Sequence, residues 1–409
     1  MTDRDPSGRH SNDGGPSVPQ PNNLDERGLA LVTWSAIAEP GDPLAHALVA
    51  LLGAAEGLEW VRGAARDPVA ATHALAPHAE PALIDRAVDA VARWVPRLRD
   101  GAAERHLDRA AKVGARAVPR GASEWPEVLD DLGVAAPYCL WVRGPSSVRE
   151  AFARAIAIVG SRSSTAYGEY VAATLSSGVA DAGWTVVSGG AYGIDARVHR
   201  AALAAGGITV AVMAGGVDRL YPLGNADLLA RVLETGAIVA EQPPGFPPHR
   251  SRFLTRNRII AASAATIVVE AAYRSGALST AHHAAELGRP VGAVPGPVTS
   301  ASSTGCHKLI RNGAICVTSA DDVLEIVLPL DASRAESEGP RPRVRARDFA
   351  TGGERRAFDA VSARGSTIAD VGRAAGMTAA EVRSALGALE LAGAVRRDGD
   401  RWMRAPAKR

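Results

Sequence analysis

Six apolar runs of the sequence each end in a glycine-bearing turn, and these turns carry the residue types able to do chemistry. They are Val159-Gly160-Ser161-Arg162, Ser188-Gly189-Gly190-Ala191-Tyr192-Gly193-Ile194-Asp195, and Ala214-Gly215-Gly216-Val217-Asp218 with Tyr221-Pro222 close behind. The others are Glu241-Gln242-Pro243-Pro244-Gly245, Glu270 followed by Arg274-Ser275-Gly276-Ala277-Leu278-Ser279-Thr280, and Val294-Pro295-Gly296. Glycine permits tight turns and lets a ligand approach backbone N–H groups. A helix that follows offers its first amides to an anion. One such turn is ordinary strand-to-helix chemistry. Six in succession, two of them with both Arg and Ser, predict a phosphate-binding surface. Its candidate contacts are Gly160, Ser161, Arg162, Ser188, Gly189, Gly190, Arg274, Ser275 and Gly276.

A second element runs from Pro247 to Arg258 and packs four Arg around Phe253 and Asn257. Arg contacts phosphates bidentately and stacks on bases. Phe offers a sequence-tolerant stacking face worth roughly 1–3 kcal/mol per base. The chain is only 4% aromatic, so a Phe inside an Arg cluster stands out. Arg250, Phe253, Arg256 and Asn257 are the candidates here, for a single-stranded nucleic acid. The competing expectation is a core Phe at a helix start with solvated Arg residues.

Other chemistries lose their signatures. Only three residues are Lys and none follows Gly, so no Walker loop exists. HExxH and GxSxG are missing too. Asp195, Asp218, Glu241 and Glu270 sit at strand ends, but no nucleophile or metal cluster accompanies them. They are expected to cap helices or orient Arg residues rather than act as acids or bases. His199 reads as a packed histidine, His282 and His283 as a poor metal pair, and Cys139, Cys306 and Cys316 as small buried residues. No metal and no cofactor is expected. Three widely spaced Cys exclude a disulfide scaffold, and the N-terminus MTDRDPSGRH has no apolar signal region. The uncharged stretch Ala201–Val217 is broken by four Gly and is too short to span a bilayer. With 46% hydrophobic residues and a net charge of +2, a soluble cytoplasmic protein without membrane partners is expected.

The turns need a scaffold. Ile156–Val159, Thr185–Val187, Ile208–Met213, Ala237–Ala240, Ile267–Glu270 and Val291–Val294 read as buried strands. Tyr167–Ala182, Ile194–Ala205 and Ala277–Leu287 read as helices between them. This alternation predicts a doubly wound, mostly parallel α/β sheet, which binds ligands at the carboxyl ends of its strands. The domain is expected over 104–327, entered through 104–150, where Tyr138–Val142 is a further strand. Residues 1–25 are rich in Gly, Pro, Asn and Ser and read as a disordered tail. Residues 26–100 read as a small helical module anchored by Trp60 and Trp94. Residues 328–350 are a linker by composition. Residues 351–409 hold helices Ile368–Ala375 and Ala379–Leu391 and a hairpin at Asp398-Gly399-Asp400, the winged-helix pattern. The second helix offers Arg383 beside Glu381 and Glu390, a weak footprint for a major groove. Protein contact or accessory DNA contact is expected there, with Arg396, Arg397 and Arg401 on the wing.

Several of these segments together resemble the DNA-processing protein A family (DprA, also called Smf). They are Val159-Gly-Ser-Arg162, Ser188-Gly-Gly-Ala-Tyr-Gly-Ile-Asp195 with His199, Arg256-Asn-Arg-Ile-Ile-Ala261, and Glu270-Ala-Ala-Tyr-Arg-Ser-Gly-Ala-Leu-Ser-Thr280. Val294-Pro-Gly296 and Leu309-Ile-Arg-Asn-Gly-Ala314 complete the set. The resemblance implies a Rossmann-like domain that binds single-stranded DNA, protects it during natural transformation and loads the RecA recombinase. It implies a homodimer without catalytic activity. It also implies that Arg162 grips phosphate beside Gly160 and Ser161, that Arg250, Phe253, Arg256 and Asn257 hold and stack the strand, and that Arg274 and Ser275 continue the pocket. The chain departs from the family pattern at His307, after Gly305-Cys306, and at Gln242, where many members carry Tyr. Two other readings compete. A nucleotide-processing enzyme of the phosphoribohydrolase type would need Pro-Gly-Gly-x-Gly-Thr, but Pro297 follows Pro295-Gly296. A ligand-gated winged-helix regulator would need a more basic recognition helix.

Overall fold

The computed structural model describes residues 24–328, 352–362, 365–391 and 394–405. The expected tail lies outside the described residues except for Leu24 and Asp25, and the expected linker except for Leu328. The chain divides into two compact units, Met1–Pro329 and Leu330–Arg409.

The first unit opens with six helices: α1 (Glu26–Ile37), α2 (Pro43–Leu52), α3 (Ala54–Arg66), α4 (Pro68–Leu75), α5 (Pro81–Trp94) and α6 (Ala102–Ala111). Their starts are set by local chemistry. Asp42 and Asp67 cap α2 and α4, and Pro stands in the first turn of α2, α4 and α5, where its missing N–H costs nothing. Three indoles fill the core between them. Trp34, Trp60 and Trp94 are all buried, and each indole N–H finds an acceptor: Ala54 O, Ala71 O and Asp42 Oδ2. Trp34 meets Trp94 edge to face at 5.6 Å.

The sheet follows. Its strands are β1 (Ala115–Pro119), β2 (Cys139–Arg143), β3 (Ala155–Gly160), β4 (Thr185–Ser188), β5 (Thr209–Met213), β6 (Ala237–Ala240), β7 (Ala265–Glu270), β8 (Val291–Ala293) and β9 (Ile315–Cys316). The helices among them are α7 (Val148–Ala153), α8 (Ala166–Asp181), α9 (Ile194–Ala204), α10 (Ala226–Thr235), α11 (Arg250–Ala261), α12 (Ala277–Glu286), α13 (Thr304–Arg311) and α14 (Ala320–Val327). The spatial order is β1-β2-β6-β5-β4-β3-β7-β8-β9. β2 pairs antiparallel with β1 and β6, and every other pair is parallel. Side chains of a strand alternate between faces. Ile156 and Ile158 of β3 therefore pack with Leu175 and Val198 on one side, while Ala157 and Val159 pack with Ile260 and Ala281 on the other. With both faces covered, the parallel strands are apolar throughout.

The second unit holds α15 (Gly352–Ala360), α16 (Ile368–Ala375), α17 (Ala379–Leu391) and the antiparallel pair β10 (Val395–Asp398) and β11 (Arg401–Arg404). Thr367 and Asp370 form a capping box on α16, and Val371, Val382, Leu386 and Trp402 form the core. Among the described residues no single helix is long and apolar enough to cross a membrane.

Candidate nucleic-acid interface

The strand order reverses between β3 and β7. At such a switch point the connections run off in opposite directions and leave a crevice beyond the carboxyl ends of the strands. The turn after β3 forms one lip. The β3–β7 register shifts between Val159 and Gly160, so that Gly160 pairs with Glu270 and the Ser161 N–H donates to Glu270 O at 2.7 Å. The Glu270 carboxylate accepts from the Thr165 N–H and hydroxyl, both at 2.9 Å, which fixes the entry to α8. From the β4 side, the Ile194 N–H donates to Ser161 O at 3.1 Å. Gly193 has φ 75°, and a Cβ there would run into the carbonyls of Ser161 and Arg162, so only Gly lets the two turns close together. Thus the Arg162 backbone is pinned while its side chain stays exposed.

The first turns of α11 form the facing wall. Phe253 is half-buried, with the Arg162 guanidinium 5.0 Å and the Arg256 guanidinium 5.9 Å from its ring centroid. The Tyr221 ring lies at 5.9 Å, tilted by 50°. Phe253 stands between two depressions. One is an apolar hollow formed with Tyr192, Met213, Gly215, Tyr221 and Pro222. The other is the polar switch-point cleft, lined by Gly160, Ser161, Arg256, Asn257, Arg274 and Ser275 among others. Arg162 borders both.

Arg256 is the buried hinge of this wall. Its Nη1 donates to Gly189 O at 2.9 Å and its Nε to Asn257 Oδ1 at 3.1 Å. A Cβ on Gly189 would strike the guanidinium, so the close approach depends on that glycine. Burial lowers the Arg256 pKa to about 10, which leaves it cationic at neutral pH. Asp195 is buried beside it. Burial raises the Asp195 carboxyl, while Arg256 and the amides of Ala191, Gly160 and Gly189 pull the other way. Asn257 joins the walls, its Nδ2 donating to Gly276 O at 3.3 Å.

The structure therefore brings Gly160, Ser161, Arg162, Gly189, Phe253, Arg256, Asn257, Arg274, Ser275 and Gly276 to the two depressions. Ser188 and Gly190, expected among the contacts, are placed differently. Both are buried and line neither depression; the Ser188 hydroxyl donates to Ile158 O, and Gly190 O accepts from Asn225. Arg250 is exposed on the first turn of α11 and borders neither depression. The four-Arg cluster also divides. At about 100° per residue, Arg252 and Arg258 leave the face that carries Phe253 and Asn257. Arg252 pairs with Glu39, and Arg258 with Glu241 at 2.7 and 2.8 Å.

The remaining acidic groups are occupied. Glu241 and Arg258 form a pair 5–6% exposed, and Asp218 accepts from the Gly245 N–H at 2.8 Å. His199 is fully buried on Thr209, and His307 reaches Gly296 O at 3.0 Å. Cys139 and Cys306 are buried, but Cys316 is exposed, because β9 is the sheet's outer strand. Gln242 is buried and borders neither depression. Tyr192 and Tyr221 are functional candidates that sequence reasoning did not single out. Their signal was exposure of a large ring just past a strand end, which needs the strand order to be seen.

A family model described as DNA recombination-mediator protein A matches residues 116–328, and one described as DprA winged helix domain matches residues 340–401. A DprA of Mycobacterium tuberculosis (strain ATCC 25618 / H37Rv) is 46% identical over 320 residues, which is 73% of this chain and 81% of that protein. The DNA processing protein DprA of Bacillus subtilis (strain 168) is 37% identical over 213 residues, 52% of this chain and 71% of that one. The X-ray structure of DprA from Streptococcus pneumoniae matches with a TM-score of 0.58 at 28% identity, covering 75% of this chain and 99% of that chain.

Proposed function

The chain belongs to the DNA recombination-mediator protein A family, and from that premise we propose that it binds single-stranded DNA across the switch-point cleft and acts as a mediator, not as an enzyme. The observation that carries this reading is the Phe253 ring with the exposed Arg162 guanidinium 5.0 Å from its centroid. A ring supplies a stacking face for any base, and an exposed guanidinium supplies a bidentate phosphate contact. A duplex keeps its base faces inside the stack, so a ring set in a cleft selects unpaired bases. Arg274 extends the cationic border on the β7 side.

The same reading makes the protein a homodimer that holds incoming strands and hands them to the RecA recombinase, with natural transformation as one setting. Family membership supports this. Light scattering giving only monomer at micromolar concentration would count against the dimer. Failure to stimulate RecA pairing on single strands would count against the handover.

Fluorescence anisotropy of labelled oligo(dT) over a salt series tests the cleft itself. Wild type is expected to bind the single strand well above a matched duplex, and Phe253→Ala to bind it roughly 5- to 150-fold more weakly. Equal binding of duplex, or an unaffected Phe253→Ala protein, refutes the reading.

A further inference from the structure

The chain has six Tyr, and five of them are exposed. Tyr273 is 63% exposed, in the loop that follows β7. It stands between Ala272 and Arg274, and both of those residues line the switch-point cleft. The Lys308 Nζ, from α13, lies 5.1 Å from the Tyr273 ring centroid. Lys308 is one of only three Lys in the chain and is itself exposed. Among the described residues it pairs with no carboxylate. Glu270, three residues before Tyr273, is buried and taken up by Thr165.

Tyr273 with Lys308 therefore repeats, on the β7 side, what Phe253 with Arg162 provides on the α11 side: a ring with a cation at 5.1 and 5.0 Å respectively. Each nucleotide of a single strand brings one flat base and one phosphate, which is the pair of groups each such device matches. We propose that Tyr273 and Lys308 form a second stacking station, so that a strand held at Phe253 continues over the 271–276 loop toward α13. Lys308 is a point charge on a flexible stem and can turn from the ring to a phosphate when a base takes the ring. This inference rests on the reading of the cleft as a single-strand site, and it adds the direction in which the strand leaves.

The test is anisotropy of the full-length protein with labelled oligo(dT) of increasing length, from about 4 to 16 nucleotides. The proteins compared are wild type, Tyr273→Ala, Tyr273→Phe, Lys308→Ala and Phe253→Ala. The short oligomers are expected to bind Tyr273→Ala as they bind wild type. The long ones are expected to bind it roughly ten-fold more weakly, with Tyr273→Phe restoring the loss. Lys308→Ala is expected to lower the salt dependence for long oligomers only. If Tyr273→Ala equals wild type at every length while Phe253→Ala is weakened, the second station is wrong and the cleft stands. If neither variant is weakened, both are wrong.

Discussion

Glu39, in the turn between α1 and α2, grips the guanidinium of Arg252 at the start of α11 with both carboxylate oxygens, at 2.9 and 2.8 Å. Arg97 reaches the same carboxylate at 2.8 Å. Burial alone would raise the Glu39 carboxyl, but the two Arg partners outweigh it and hold it below its ordinary value. Arg252 also donates to Pro247 O at 3.0 Å, and the Phe246 ring lies beside both arginines. From α6, Arg109 donates to Pro244 O. The helical module thus fastens the 244–252 segment from several sides, and the residue after Arg252 is Phe253. In the proposed interface, its contribution is to set the ring's position.

Loss of that grip is expected to weaken single-strand binding without removing a phosphate contact. Glu39 is about half exposed, so solvent screening limits the pair to about 1 kcal/mol. Glu39→Ala should therefore raise the Kd for oligo(dT) by roughly five-fold, and Glu39→Gln by less. The slope of log Kd against log salt should stay at the wild-type value, since phosphate neutralisation sets that slope. A slope that flattens in Glu39→Ala would mean that Arg252, once released, had itself been touching the strand.

Arg162 and Phe253 should separate in the same salt series. Each phosphate neutralised on a single strand contributes about 0.7 to the slope. Arg162 is exposed, and among the described residues it has no carboxylate partner. Arg162→Ala should lower the slope by about 0.7. Phe253→Ala should weaken binding at every salt concentration with the slope unchanged. Identical slopes for Arg162→Ala and wild type would move the phosphate contact away from the β3 turn.

What was legible in the sequence follows from where the causes lie. Ala237–Ala240 could be read to the residue because a parallel strand buried on both faces is apolar throughout. Ile368–Ala375 and Ala379–Leu391 were bounded by Gly376 and by turn residues next to them. Strand β1 was not legible: Ala115-Arg-Ala-Val-Pro119 has one β-branched residue and a Pro, and pairing with β2 makes it a strand. The Arg cluster was found, but its division needed the helical phase of α11, which the sequence marks only through the start at Arg250. Ser188 and Gly190 looked like ligand contacts because glycine turns look alike whether they face a ligand or the protein. Tyr192 follows β4, Tyr221 follows β5 and Phe253 follows β6, and only the sheet order β6-β5-β4 brings the three together.

Acid should loosen this unit through histidines buried in the neutral form. The Thr209 hydroxyl donates to Val186 O at 2.7 Å, so it accepts at 2.8 Å from a protonated His199 Nδ1. That leaves His199 Nε2 unprotonated, buried and without a partner in the described structure. A proton arriving there would find no acceptor and would face Arg256; burial first, then that guanidinium, holds the folded pKa at about 3. His46 behaves alike, its pKa lowered to about 4 by burial and then by Arg258 and Arg120. In the unfolded chain both titrate near about 6.5. Below that pH the unfolded state binds protons that the folded state refuses, so stability is intact above about 6.5 and is lost as pH falls toward the folded values. At about 1.4 kcal/mol per pH unit, each histidine withdraws about 2 kcal/mol by pH 5. Urea unfolding at pH 7.5 and pH 5 should show this loss. His199→Asn, which keeps a donor for Thr209, should lose stability at pH 7.5 but show a pH dependence shallower by about one proton. An unchanged pH dependence would mean that His199 takes up its proton as readily in the folded protein as in the unfolded chain, against the geometry that surrounds it.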